Sequence, residues 1–445
     1  PLAMSYQNKH TESVIVVALD IGTTKVCAIA GRRNAYGRIE ILGVGKVQSE
    51  GVLRGVVANI DKTVKAIQEA IDIAERAAGM EFNIVHVGIA GQHIKSLHNR
   101  GILTREEPQS EITKDDVEKI IRDMHRLALP PGDKILHVIP QEFTVDEEEG
   151  IIDPVGMSGA RLEGNFHVIT GKLSAANNIN RSVEKAGLKV ADITLEPIAS
   201  ASSVLSDQEK VAGVALVDIG GGTTDVTIFQ EGIIRHTAVI PFGGNIITKD
   251  IKEGCTVMED QAEKLKVRFG SALADEVIDK RIITISGING RESKEISERK
   301  LARIIQARME EILDYVVWEI RRTGYERKLI AGMVLPGGGS QLRHLDLLSE
   351  FHTGLATRIG KPTEHLAAGF DNKVENPIYA TAVGLLIEGI ATEEEDRLRV
   401  LEGVTTENED DEDDFGGGDN YMKKMLNKSV KAIADFLSAS PETDI

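Results

Sequence analysis

The sequence predicts an α/β protein built of two related lobes that face each other across a cleft. Two segments carry this prediction, residues 17–25 and residues 215–225, which lie 198 positions apart. Each is an apolar, β-branched run that leads through an aspartate into a turn rich in Gly and Thr, and a second apolar run follows. This pattern is typical of a strand, a tight turn and a returning strand. One such hairpin in each half of the chain indicates two lobes of common design.

The core of the first lobe is expected at residues 13–90. Apolar periodicity and capping signals predict a helix at 62–78, with Asp61 as its N-cap. The predicted strands of this core are 14–19, 26–31, 39–46 and 83–90.

Residues 91–167 change the pattern and are interpreted as a subdomain inserted into the first lobe. Strand-like stretches at 94–104, 135–145 and 166–170 accompany one amphipathic helix, for which Thr113 is the predicted cap. The block contains no loop of the phosphate-binding type. It is therefore expected to be a structural or oligomerisation module.

The α/β alternation returns after the insertion. Residues 168–242 are expected to form the connection between the lobes and the core of the second lobe, and residues 243–327 a mostly helical outer subdomain. Residues 328–392 would complete the second lobe and lead back to the first. The elements predicted in these segments are helices at 175–186 and 377–390 and strands at 190–195, 277–285 and 328–335.

The two Gly–Thr turns are candidate phosphate loops. Glycine lets backbone N–H groups approach an anion without a Cβ in the way, and threonine hydroxyls add donors. The alternative is that these segments are merely turns, but two copies in register, each with an aspartate that ends its strand, disfavour it. The candidate binding residues are Gly22, Thr23, Thr24, Lys25, Gly220, Gly221, Gly222, Thr223 and Thr224.

The aspartates beside these turns indicate a metal ion. Asp20 and Asp218 would lie next to bound phosphates, and hard carboxylate oxygens suit Mg²⁺, here expected to act through water.

A third glycine loop follows the predicted strand at 328–335. It is Pro336-Gly337-Gly338-Gly339-Ser340, with a helix predicted at 341–351. A strand, a glycine loop and a helix N-terminus together form a general site for anions or nucleotides. Neither the Walker pattern nor the dinucleotide fingerprint occurs in the chain.

Composition excludes several classes of function. The 445 residues carry a net charge of −18; residues 393–414 hold twelve acids and two arginines, net −10, which leaves −8 for the rest. A moderately acidic body argues against nucleic acid as a partner.

Cys27 and Cys255, the two cysteines, are expected to be free thiols in a reducing compartment. No segment has the apolar length of a membrane span or the pattern of a secretory signal.

The end of the chain is the second informative region. Residues 407–414 contain seven acids in eight positions, and 393–419 is interpreted as a disordered acidic linker. Residues 420–437 predict an amphipathic helix with an apolar arc about 140° wide and lysines opposite it. Such a helix suits the surface of an anionic bilayer; the alternative is that it docks on the body of the protein. The candidate membrane residues are Met422, Met425, Leu426, Val430, Ile433, Phe436, Leu437, Lys423, Lys424, Lys428 and Lys431.

The three loops, in this order, resemble the nucleotide site of the superfamily of actin, heat-shock chaperones and sugar kinases. The resemblance implies that the first two loops bind phosphates and that Gly337, Gly338, Gly339 and Ser340 contact adenosine. It also implies two connections between the lobes, at 195–201 and 376–385, and it makes Glu196, and secondarily Asp218, candidates for orienting an attacking water.

The outer subdomain adds further candidates through the same resemblance. Glu263 and Lys266 are three residues apart and share a helix face, where a solvated ion pair is the plain interpretation. The superfamily pattern instead implies contacts to the ribose and base, and it implies a further contact at Gly243, Gly244 and Asn245.

A set of motifs resembles one branch, the FtsA family of bacterial actin-like cell-division proteins, over about residues 13–390. The matching segments are 20–25, 52–57, 88–91, 218–225, 240–244 and 335–340. The resemblance implies ATP and Mg²⁺ between the lobes, at most weak hydrolysis, and self-association into filaments on the cytoplasmic face of the inner membrane at the division site. It further implies that residues 243–327 bind the tail of FtsZ, the tubulin-like ring protein, and that the inserted subdomain recruits later division proteins.

Three other functions compete with this one. A sugar-type phosphotransferase needs a general base in the cleft, and no convincing acid outside the ATP loops is found. A chaperone needs a substantial peptide-binding domain after the ATPase, and the sequence predicts no such domain. A pilus-type actin-like scaffold shares the inserted subdomain, but the acidic linker and basic helix count against it.

Overall fold

The computed structural model describes residues 14–278, 281–368 and 372–401. The linker predicted at 393–419 begins later than expected, because residues 393–401 continue the last described helix, Ala380–Leu401. The rest of the linker and the amphipathic helix predicted at 420–437 lie outside the described residues. None of the described helices combines the length and the apolarity that crossing a bilayer requires.

The described strands are numbered in chain order. They are β1 (Val16–Ile21), β2 (Lys25–Arg33), β3 (Ile39–Gln48), β4 (Val52–Leu53), β5 (Val56–Val57), β6 (Ile84–Ile89), β7 (Lys95–Thr104), β8 (Asp133–Val145), β9 (Glu148–Ile151), β10 (Arg161–Lys172), β11 (Lys189–Leu195), β12 (Val214–Ile219), β13 (Thr224–Gln230), β14 (Ile233–Ile240), β15 (Ile282–Ile285), β16 (Lys294–Ser297), β17 (Met333–Leu335) and β18 (Thr357–Ile359).

The described α-helices are numbered in the same way. They are α1 (Ile60–Ala78), α2 (Lys114–Met124), α3 (Leu173–Lys185), α4 (Glu196–Val204), α5 (Asp207–Ala212), α6 (Gly244–Cys255), α7 (Glu259–Phe269), α8 (Glu298–Thr323), α9 (Leu345–Thr353) and α10 (Ala380–Leu401).

The duplication seen in the sequence is a duplication of topology. One five-stranded sheet has the order β3-β2-β1-β6-β11, and the other has the order β14-β13-β12-β17-β18. In each sheet the first three strands pair antiparallel and the last three pair parallel. The two hairpins therefore occupy equivalent central positions in two lobes of the same design.

Both faces of the first sheet are covered by helices, because its central strands are apolar on both sides. Val17 and Leu19 of β1 belong to a core shared with α1 and α3. Ala18 lies on the opposite face, in a core shared with α10. This alternation along β1 is the period of two that a strand imposes.

The predicted helix of the first lobe begins earlier than expected. It spans Ile60–Ala78, and its N-cap is Asn59, whose side chain accepts from the amide of Lys62. Asp61 lies inside the first turn, where its charge favours the helix dipole. The prediction of Asp61 as the cap was therefore wrong by two residues.

The inserted block forms a separate sheet of order β7-β10-β8-β9 with its own core, in which Val117, Ile120, Ile121 and Met124 of α2 are buried. Thr113 caps α2 in a reciprocal capping box, as predicted. The block also contacts the second lobe: Ser96 Oγ donates to the carbonyl of Thr237 at 2.9 Å.

The outer block differs from prediction in its short strands. The strand expected near 277–285 is confined to β15, which pairs with β16, and the preceding residues 271–278 are turns and coil. The long helix α8 supplies more buried apolar residues of this block than any other element described in it. Cys27 and Cys255 are both buried and free, as predicted.

Candidate nucleotide site

The two predicted phosphate loops lie against each other. The amide of Gly22 donates to the carbonyl of Lys25 at 2.9 Å, and the amide of Gly220 donates to the carbonyl of Thr223 at 3.0 Å, so the two turns close in the same way. The first turn joins β1 to β2 and the second joins β12 to β13, so each connects the two strands of the central hairpin in its own lobe.

Glycine is required where the two turns touch. A Cβ on Gly221 would lie 2.2 Å from Cγ2 of Thr24, and one on Gly222 would lie 2.8 Å from Oγ1 of Thr23. Both distances are shorter than any side chain tolerates. The two lobes therefore approach each other through these turns, and the candidate phosphate loops form one continuous surface.

The third glycine loop packs behind the second turn. Gly337 has a φ of 89° and faces the end of β12, where a Cβ would lie 2.3 Å from Oδ1 of Asp218. The carbonyl of Pro336 accepts from the amide of Ile219 at 3.1 Å, and Ser340 Oγ donates to the carbonyl of Gly337 at 2.7 Å. The loop is thus tied to the carboxylate predicted to serve the metal.

The expected strand and helix around this loop are shorter than predicted. The strand is only β17, Gly338–Gln341 forms a 3₁₀ turn, and α9 begins at Leu345 after His344, which has a φ of 63°. An α-helix N-terminus therefore does not follow the glycines directly, and that part of the prediction was wrong. The physical reason is the glycine run itself, because glycine is a poor helix former.

The residues at the start of the outer subdomain support the second turn from outside. The amide of Gly244 donates to the carbonyl of Gly220 at 2.8 Å, and that of Asn245 donates to the carbonyl of Gly221 at 2.8 Å. Gly243 is packed against the same turn, because a Cβ there would lie 2.4 Å from the carbonyl oxygen of Gly220. These three residues therefore fix the position of the turn.

Glu263 and Lys266 form the expected pair on α7, at 2.7 Å. Lys266 is not a solvated cation, since its side chain is only 12% exposed and donates to the carbonyl of Gly244 and to Thr248 Oγ1. The pair thereby connects α7 to the beginning of α6, directly behind the second turn.

Four carboxyl groups interact across the cleft floor. Asp20 is 2% exposed and forms an ion pair with Lys25, while Glu196 begins α4 beside them. Asp218 and Asp225 face each other as cross-strand partners in the second hairpin. Carboxylates gathered in a buried place repel one another and favour either protonation or a bound cation.

The protonation of these groups reflects burial first and mutual repulsion second. Burial, and then the charge of Asp218, raises the pKa of Asp225 to about 8. Burial, and then Asp20 and Asp225, raises the pKa of Glu196 well above its usual range. For Lys25 burial alone would lower the pKa, but Asp20 and other neighbouring acidic groups raise it above the ordinary value.

Asp225 is a residue of this cluster that the sequence analysis missed. It occupies the position in the second hairpin that Cys27 occupies in the first, because Asp20 pairs with Cys27 in register as Asp218 pairs with Asp225. The hairpin register implied by the repeat contained this signal. Its Oδ1 is buried and has no hydrogen-bond partner among the described residues.

These donors fit a magnesium ion that is held partly through water. An orphaned carboxylate oxygen and raised carboxyl pKa values both indicate a place where positive charge is missing. No group of three His, Cys, Asp or Glu side chains in the described part of the chain is arranged to hold a metal directly. Mg²⁺ commonly keeps several waters and uses one or two carboxylates together with phosphate oxygens. Asp20 is already paired with Lys25, which leaves Asp218 and Asp225 as the better placed of the candidates.

The candidate membrane residues between Met422 and Leu437 lie outside the described residues. The structure therefore bears only on the nucleotide part of the predicted site.

Comparisons with known proteins agree on one family. Residues 215–384 match the family model "Cell division protein FtsA", and residues 91–170 match "SHS2 domain inserted in FTSA". The chain is 42% identical over 376 residues to the cell division protein FtsA of Pseudomonas aeruginosa, covering 84% of this chain and 89% of that protein. It is 37% identical over 390 residues to the Escherichia coli K12 protein of the same name, covering 86% and 91%.

Solved structures show the same fold at low identity. The PilM-PilN type IV pilus biogenesis complex aligns with a TM-score of 0.63 at 16% identity, over 84% of this chain and 98% of that chain. MreB5 of Spiroplasma citri bound to ADP aligns with a TM-score of 0.50 at 16% identity, over 87% and 98%. The predicted fold, a two-lobed actin-like ATPase fold with a subdomain inserted in the first lobe, is confirmed. The chain belongs to the FtsA family of cell division proteins.

Proposed function

We propose that this chain binds ATP with Mg²⁺ between its two lobes and polymerises on the cytoplasmic face of the inner membrane, where it anchors the FtsZ ring. The observation that carries the nucleotide part is the contact between Gly221 and Thr24, which joins two Gly–Thr turns above a cluster of carboxyl groups. Backbone-lined turns facing each other suit a chain of phosphates, and the carboxylates suit its metal ion.

Each part of the site has a distinct role in this proposal. The first two turns bind the phosphates, with Lys25 as a nearby cation, and Gly337 to Ser340 lie against the adenosine. Asn245, Glu263 and Lys266 contribute on the side of the ribose and base. Glu196 orients water in whatever slow hydrolysis occurs, since it begins α4 within electrostatic reach of Asp20, Lys25 and Asp218.

The metal ion supplies positive charge to the phosphates and to the acidic cluster when it is bound. Asp218 and Asp225 hold that ion through water, while Lys25 keeps Asp20 paired.

Membrane attachment and partner binding are proposed for other parts of the chain. Residues 420–437 attach to anionic lipid through the apolar arc and its lysines. The outer subdomain at 243–327 receives the FtsZ tail, and the inserted subdomain at 91–167 receives later division proteins and contributes to self-association. Membership of the FtsA family supports these assignments.

One experiment tests the proposal as a whole. The full chain is sedimented with anionic vesicles, with and without ATP and Mg²⁺, and the pellet is examined by electron microscopy. We expect vesicle binding in every arm and filaments on the vesicles only with nucleotide. Absence of both vesicle binding and nucleotide-dependent filaments contradicts the proposal.

A further inference from the structure

The helices α4 and α10, which lie where the chain passes between the lobes, cross each other very closely. A Cβ on Gly384 of α10 would lie 1.7 Å from the carbonyl oxygen of Ala199 on α4. Ser203 Oγ on α4 donates to the carbonyl of Ala380 on α10 at 2.6 Å, and Ser202 Oγ donates to the carboxylate of Glu388. A small change in the angle between these helices therefore moves several polar contacts.

Two hydroxyl groups at this crossing lie beside Asp218. Ser200 Oγ, from α4, donates to Oδ2 of Asp218 at 2.8 Å. Thr381 Oγ1, from α10, lies 3.0 Å from Ser200 Oγ and 3.5 Å from the same carboxylate oxygen. One oxygen of Asp218 thus has a hydroxyl neighbour from each helix that joins the lobes.

The contact of Ser200 is more than ordinary helix packing. Ser202 Oγ lies near the carbonyl of Ile198, four residues earlier on α4, and near the carboxylate of Glu388 on α10, so these contacts stay within the two crossing helices. Ser200 is completely buried, yet its hydroxyl is directed at a carboxylate in the other lobe. It also lies four residues after Glu196, on the same face of α4.

The other oxygen of Asp218 is confined as well. Gly337 stands against Oδ1, where a Cβ would lie 2.3 Å away. Burial raises the pKa of Asp218, and the hydrogen bond from Ser200 acts in the opposite direction by favouring the ionised form. The Ser200 hydroxyl therefore bears on both the orientation and the charge of this carboxylate.

We propose that Ser200 and Thr381 are positioning residues whose hydroxyls hold the Asp218 carboxylate toward the magnesium ion. This inference rests on the proposed binding of ATP with Mg²⁺. The predicted consequence is that the contribution of Mg²⁺ to nucleotide affinity depends on these two hydroxyls, whereas metal-free nucleotide binding does not.

The test compares variants that differ in one hydroxyl. Ser200→Ala and Thr381→Val remove a donor, while Thr381→Ser keeps the hydroxyl at the same position. Ser202→Ala and Ser203→Ala are matched controls, because they break contacts between α4 and α10 without touching Asp218. ATP affinity is measured by calorimetry on the full chain, in Mg²⁺ and in EDTA.

We expect Ser200→Ala to weaken ATP affinity in Mg²⁺ about ten-fold, the typical loss for one hydrogen bond to a charged group. Thr381→Val should weaken it less, because its hydroxyl lies 3.5 Å from the carboxylate, and both variants should leave the affinity in EDTA unchanged. Thr381→Ser and both controls should retain the wild-type difference between Mg²⁺ and EDTA. The inference is overturned if Ser200→Ala keeps the wild-type difference, or if the controls lose as much as it does. If the wild-type chain binds no ATP in either condition, the proposed function itself fails, and the inference with it.

Discussion

Gly221 of the second hairpin turn lies directly against Thr24 of the first, so close that a Cβ on Gly221 would meet Cγ2 of Thr24 at 2.2 Å. The two residues occupy equivalent turns in the two halves of the sequence repeat. This contact between the lobes therefore brings the two candidate phosphate loops together.

The variant Gly221→Ala should separate the turns and weaken nucleotide binding. Overpacking of this kind costs roughly 1–3 kcal/mol, so we expect about ten-fold or greater loss of ATP affinity. Thr24→Ser removes the clashing methyl group and leaves Oγ1 of residue 24 at 3.2 Å, so the double variant should recover most of the loss. Additive losses in the double-mutant cycle, measured by calorimetry, would show that the two turns do not touch.

The variant Lys25→Met should destabilise the protein in the absence of nucleotide. It leaves Asp20, which is 2% exposed, without its partner, and breaking a buried pair costs about 3–5 kcal/mol. The measurement is the free energy of unfolding in urea at pH 7. The double variant Lys25→Met/Asp20→Asn should lose much less, because no buried charge remains unpaired.

A matched control for this prediction is Lys62→Met, which breaks the exposed pair of Lys62 with Glu50. Exposed pairs contribute about 0–1 kcal/mol, so the free energy of unfolding of this variant should be close to that of the wild type. Equal losses at positions 25 and 62 would contradict the buried pair at the cleft.

The variant Asp225→Asn should alter how stability depends on pH in the nucleotide-free chain. The folded-state pKa is about 8 against an ordinary value of 3.8, so the folded protein keeps this proton while the unfolded chain loses it. The stabilisation is complete below about pH 4 and is lost as the pH rises to about 8. Thermal unfolding is measured from pH 5 to pH 9. The melting temperature of the wild type should fall relative to that of the variant up to pH 8, with little further change above it. A difference that stays constant across this range would refute the assignment.

Deletion of residues 420–437 should release the chain from anionic vesicles. The segment carries the whole apolar arc and its four lysines, whereas residues 438–445 are mostly polar. Deletion of 438–445 is therefore the control, and it should leave vesicle binding nearly unchanged. Co-sedimentation distinguishes the two, and full retention without residues 420–437 would mean that they do not attach the protein to lipid.

Sequence patterns predicted those parts of the structure that depend on residues close together in the chain. The repeat of strand, aspartate and Gly–Thr turn predicted both hairpins, and both form in equivalent sheet positions. The Thr113 capping box was predictable because its partner Asp116 is three residues away. The choice of Asn59 over Asp61 as the cap of α1 was not, since two good capping residues stand close together and packing selects between them.

The residues that refine the site depend on contacts between distant parts of the chain. Asp225 was visible as part of the second motif, but its role follows from its register opposite Asp218. Ser200 and Thr381 lie 181 positions apart and meet only because α4 and α10 cross. The third loop was recognised as a glycine run, but its close approach to Asp218 at the end of β12 depends on tertiary packing.

The sequence by itself determined the two-lobed design, the inserted block and the two phosphate-type turns, because each arises from periodicity and turn chemistry within a few residues. Only the tertiary structure decided which carboxylates share the cleft, which of them Lys25 neutralises and which hydroxyls reach Asp218. These features depend on burial and on distances between side chains, and both are set by how the sheets and helices pack.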